Sequence, residues 1–94
     1  MKIIKIFKKS GVFAEDKDIA RELRLKKITP LLKKEGSIVL DFDGVESATQ
    51  SFIHALISNI IREFGPEILD RISFKNCNDT VRQIIKTVVD YMQI

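Results

Sequence analysis

The chain has 94 residues, a formal net charge of +3, 45% hydrophobic and 31% charged residues. This is a one-domain length, residues 1–94, and a domain of this size buries roughly 60–65% of the surface its unfolded chain exposes, too little for a deep two-lobed cleft. No apolar run reaches the roughly 18 residues needed to span a bilayer, and the start MKIIKIFKKSG has lysines and no small-residue cleavage site, so a cytoplasmic protein without a membrane partner is expected.

Residues Lys2 to Phe7 are β-branched, aromatic and short, and predict a strand. Lys8 to Gly11 is a turn signal, and Val12-Phe13 returns as a brief second strand. Asp16 and Asp18 lead into a helix with Ile19, Leu23 and Ala20 on one face. Thr29-Pro30 has the form of an N-cap followed by proline in the first turn. Leu31 to Glu35 then forms a short helical piece closed by Gly36, so the region reads as two short helices or one kinked helix.

Ser37 to Phe42 is the clearest strand, and its run Ile38-Val39-Leu40 suits a strand covered on both faces. Asp43-Gly44 ends it. Ser47 with Gln50 three residues on has capping-box spacing, and Thr49 is a second candidate cap. The helix that follows runs to about Phe64. Phe52, Leu56, Ile60 and Phe64 form one line, with Ile53, Ile57 and Ile61 beside it. Such a stripe belongs to a helix packed on a sheet. Gly65-Pro66 stops it, and a short turn spans Glu67 to Asp70. Arg71 to Lys75 predicts a third strong strand. Asn76, Asn78 and Asp79 make a turn and cap, and Val81, Ile84, Ile85, Val88 and Met92 mark the last helix. The order is β-(β)-α-β-α-β-α. Such alternation argues for an α/β fold whose sheet is largely parallel.

Cys77 is the only cysteine and His54 the only histidine. No intrachain disulfide and no zinc pattern can form, and the four glycines are isolated rather than grouped in a phosphate loop. No metal, no cofactor and no catalytic residue is expected. Asp41 and Asp43 flank Phe42 at the carboxyl end of the best strand. Two carboxylates there could hold magnesium, since ligands of open α/β sheets bind at that edge; the preferred reading gives Asp41 to the backbone amides of the next loop and Asp43 to the turn. Ser51 falls in the first turn of the long helix, where a phosphate would meet free N–H groups and the positive end of the helix dipole. His54 stands one turn on, with Ser58 and Arg62 continuing the same polar line.

The charge is uneven. Residues 1–35 hold eleven Lys or Arg against five acids, and residues 36–94 hold five against eight. The basic third is read first as a solvated surface. An alternative function is a nucleic-acid-binding accessory domain using those residues.

The run VLDFDGVESATQSFIHAL resembles the central strand, loop and helix of STAS domains, of which the anti-sigma factor antagonists are the best-known members. LDFDGVESATQSF and the later ISFKNCND resemble more closely a STAS-like family of unknown function. The matching segments cover about residues 36–92. The resemblance implies a mixed β-sheet with helices packed on one side. It also implies a non-enzymatic, regulatory protein-binding module whose partner is an ATP-binding anti-sigma-type kinase. The implied partner surface comprises Gly44, Ser47, Thr49, Gln50, Ser51, Phe52 and His54, with Ser51 as the candidate phosphorylation site. The antagonists' Asp-Ser-Ser-Gly is replaced here by Thr49-Gln50-Ser51-Phe52, without the leading acid and the glycine.

Overall fold

The structure is a computed structural model describing residues 2–34 and 36–92. Strand β1 spans Lys2–Lys5 and is followed by a single helical turn, α1 (Phe7–Ser10). The two-residue strand β2 (Phe13–Ala14) leads into α2 (Lys17–Leu23). Asp16 caps α2 by accepting from the N–H of Asp18.

Of the two readings of this region, the helix that continues through Thr29-Pro30 is the one that forms. Residues Arg24–Ile28 are a π-helical turn that runs directly into α3 (Thr29–Lys33). Thr29 is itself helical, with its N–H bonded to the carbonyl of Arg24, and it is not a cap. The wider π turn lets the helix pass through Pro30, which has no N–H to give. Of the predicted helical piece, Glu35 lies outside the described residues. The far end of α3 is tied down by Arg71, whose guanidinium donates to the carbonyls of Leu32 (2.6 Å) and Gly36 (2.9 and 3.1 Å).

Strand β3 (Ile38–Asp41) pairs in parallel with β1 on one side and with β5 (Ile72–Lys75) on the other. A short strand β4 (Ser47–Ala48) pairs in parallel with β2. The long helix α4 (Gln50–Phe64) ends at Gly65. A 3-10 segment, Pro66–Arg71, enters β5, and α5 (Asp79–Met92) completes the described chain. The α/β class and the main strand–helix alternation stand. Three features were not anticipated: the helical turn α1, which starts at Phe7 where the predicted first strand was to end, the π turn and the strand β4. The described strands pair only in parallel, as the strand–helix alternation argued, where the resemblance implies a mixed sheet.

The order β1-β3-β5 has a consequence for layering. Each crossover steps the same way across the sheet. Two right-handed crossovers then place their helices on the same face. Ile4, Leu40 and Phe74 stand in register on that face, with Ile38 and Ile72 beside them. The opposite face carries Ile3, Lys5, Ser73 and Lys75; Ile3 is 62% exposed. One core results, built from the inner face of the sheet, α4, residues of α2, α3 and α5, and Ile28 of the π turn. The order also contains no reversal, so the three-stranded sheet lacks the switch-point crevice where open α/β sheets take ligands.

Candidate functional site

The loop between β3 and α4 is held at several points. Gly44 adopts φ +90°, and the ring of Phe7 sits against it. The N–H of Glu46 donates to the Val12 carbonyl at 2.8 Å, and the N–H of Thr49 to the Ala14 carbonyl at 3.0 Å. Asn78 bridges this loop to α5. Its Nδ2 donates to the Glu46 carbonyl, and its Oδ1 caps α5 by accepting from the N–H of Val81, both at 2.8 Å.

Thr49 is the cap of α4. Its Oγ1 accepts from the N–H of Phe52 at 3.0 Å. Ser47 is therefore not the cap, and no capping box with Gln50 forms. Ser47 belongs to β4, opposite Phe13. Thr49 lies closer to the helix start, and its backbone is fixed in the extended conformation a cap needs, with ψ 157°.

The predicted surface residues divide into three groups. Gly44, Thr49, Gln50 and Ser51 are exposed, while Ser47 and His54 are half-buried. Phe52 is a correction. It is fully buried, on the face of α4 that carries Leu56 and Ile60 into the core. A phenylalanine that takes the place of the antagonists' glycine here serves packing and is out of reach of a partner.

Ser51 and His54 line a cavity of about 470 Å³ between α4 and α5. Gln50, Lys17, Thr87 and Tyr91 complete its polar wall. Lys17 and Tyr91 are site residues that the sequence reading missed, because they come from helices at opposite ends of the chain. Tyr91 stands off the apolar line of α5 and is 66% exposed. A second cavity of about 350 Å³ lies between α2 and α4, lined by Arg21, Arg24, Ser58 and Arg62. Lys17 and His54 line both.

His54 Nδ1 and the buried Ser58 Oγ share a hydrogen bond of 3.3 Å. Arg24, almost completely buried, donates to the Ala55 carbonyl at 2.9 Å and locks α2 against α4. Arg62 turns to Asn59, at 3.3 Å. The polar line from Ser51 to Arg62 is thus continuous in sequence, but its members engage different partners.

Asp41 behaves as a loop ligand. Its Oδ1 accepts from Asn76 Nδ2 and from the N–H of Asp43, each at 2.9 Å. These donors, Asn76 foremost, hold its carboxyl below the ordinary aspartate range. Neither Asp41 nor Asp43 lines a cavity shared with His54. Cys77 is half-buried, and burial pushes its thiol up from the ordinary value.

A family model described as a STAS-like domain of unknown function (DUF4325) matches residues 20–82. The chain belongs to that family. Neither a curated protein nor a solved structure was found to match it. In this STAS-like domain the match takes in the π turn, β3, the whole of α4 and β5, and reaches the first turn of α5. It therefore includes Gly44, Ser51 and His54. Of the cavity-lining residues, Lys17, Thr87, Val88 and Tyr91 lie outside it. Among the described residues, no helix of the STAS-like domain is long and apolar enough to cross a membrane.

Proposed function

We propose that this STAS-like domain is a non-enzymatic regulatory module that binds another protein through the 44–51 loop and the start of α4. Phosphorylation of Ser51 is the proposed switch, and an ATP-binding kinase of the anti-sigma type the proposed partner. The observation that carries this reading is the position of Ser51. It is exposed in the first turn of α4, two residues after the Thr49 cap, whose Oγ1 already accepts from Phe52.

Two further observations support it. Phe13 is 58% exposed and stands opposite Ser47, and Phe7 is 41% exposed against Gly44. Exposed aromatic rings beside a polar helix start resemble the composition of protein interfaces. Phosphorylation adds about −1.5 to −2 charges. At Ser51 that charge would enter a cavity whose wall includes Lys17 and His54, changing the partner surface without touching the core.

The test is capture of partners from native cell extract with three baits: wild type, Ser51→Asp and Phe13→Ser. Capture of an ATP-binding protein by wild type, lost with both variants, supports the reading. Equal capture by all three removes this surface from the function.

A further inference from the structure

We infer that the outer edge of β1 is a second docking surface, built to accept an extended acidic peptide as an added strand. The inference is independent of Ser51 and of the α4 surface.

The backbone carries the first half of the argument. The N–H of Lys2 donates to the Ser37 carbonyl, and the N–H of Ile6 to the Asp41 carbonyl. Parallel pairing alternates along a strand, so Lys2, Ile4 and Ile6 face β3. Ile3 and Lys5 turn their N–H and C=O groups outward. β1 is the last strand of its sheet, and no backbone partner meets those groups among the described residues. An open edge of this kind is a template for another strand.

The side chains carry the second half. A groove of about 580 Å³ runs along all four residues of β1. Lys2, Lys5, Lys8, Lys9, Lys26 and Lys27 line it, and no acidic or aromatic side chain does. Lysine on an edge strand blocks pairing with another copy, because like charges would face one another. The same six cations favour a strand that brings carboxylates. The apolar floor, Ile4, Leu23 and Leu31, suits alternate apolar residues of that strand. A single-stranded nucleic acid would find the charge but no ring to stack on, and it could not use the open backbone groups of Ile3 and Lys5 as a strand does.

The probe is a fluorescent eight-residue peptide of alternating glutamate and valine, followed by anisotropy at low and moderate salt. Saturable binding is expected, weakened at least ten-fold by Lys26→Glu with Lys27→Glu and absent for the lysine–valine peptide. Ile3→Pro removes an outward N–H without breaking the ladder to β3, a position an edge strand tolerates. It is expected to weaken binding at least ten-fold with the melting temperature little changed. Amide exchange on the unmodified protein gives a readout free of folding effects. Saturating peptide should slow exchange at Ile3 and Lys5 at least ten-fold. No slowing at these amides overturns the inference. So does a thymidine oligonucleotide that binds as tightly as the peptide, or a dimer of the free protein that Ile3→Pro dissolves.

Discussion

A Cβ built on Gly44 would stand 2.9 Å from Cδ1 of Phe7. The first helical turn of the chain and the loop before α4 are therefore fitted to one another through a single missing methyl group. Gly44 also holds φ +90°, a backbone conformation that side chains disfavour.

Gly44→Ala should thus suffer twice, from the backbone angle and from the ring. A loss of about 1–3 kcal/mol is expected in urea unfolding. In a Phe7→Ala background the ring contact is gone and only the backbone strain remains, so the same change should cost less. Equal losses in both backgrounds would mean that Phe7 does not define the loop.

The cap assignment separates two neighbouring hydroxyls. Thr49→Ala should destabilise the protein by about 0.5–2 kcal/mol, because the N–H of Phe52 loses its acceptor. Ser47→Ala should change stability by less than about 0.5 kcal/mol, since no side-chain hydrogen bond of Ser47 reaches α4. Parallel denaturation of the two variants checks the pair, and the reverse ranking would restore Ser47 as the cap.

Phe52 and Ser51 are adjacent in sequence and opposite in role. Phe52→Ala should cost about 3–5 kcal/mol and Leu40→Ala about 2–5 kcal/mol, as core truncations. Both side chains are fully buried. Ser51→Ala, on the exposed side of the same turn, should stay within about 0.5 kcal/mol. Thermal melts of the three variants would show the split, and a mild Phe52→Ala would mean that α4 is not seated as described.

Asp41 sets an acid limb to stability. Asn76 and the N–H of Asp43 favour its charged form in the folded protein. As pH falls, the unfolded chain therefore takes up a proton at this position before the folded one does. The stabilisation is complete above the unfolded value of about 3.9 and fades as pH drops through the lowered folded value. Asp41→Asn cannot titrate. The gap in melting temperature between wild type and Asp41→Asn should shrink from about pH 5 towards pH 3. A gap constant over that range would show no proton linkage at Asp41.

Much of the fold was legible because it rests on local signals. The Ile38-Val39-Leu40 run formed a strand as read, although helices cover β3 on one face only; the Gly65-Pro66 stop and the wide apolar stripe of α4 formed as read. The strand β4 was hidden because two residues carry no periodicity, and a serine before a helix imitates a cap. The π turn was hidden because Thr29-Pro30 has the form of a helix start. Only the neighbouring turn, which widens to pass the proline, distinguishes the two. At the site, the burial of Phe52 was already visible in its line with Leu56 and Ile60, but the alignment with an antagonist motif placed it on the surface. Lys17 and Tyr91 have no local signal that ties them to Ser51. Their meeting depends on α2 and α5 flanking α4, a tertiary relation.

The central place of β3 bears on where this chain can be cut. Its two hydrogen-bonding edges are covered by strands far apart in sequence, β1 before it and β5 after it. A fragment trimmed to residues 20–82 would keep β5 but lose β1. That would bare the most apolar strand of the molecule along one edge, and would also strip the inner face of Ile4 and Ile6. Such a fragment has the makings of an aggregating species rather than a minimal domain, so β1, rather than the apolar strand itself, keeps that edge of β3 from other chains.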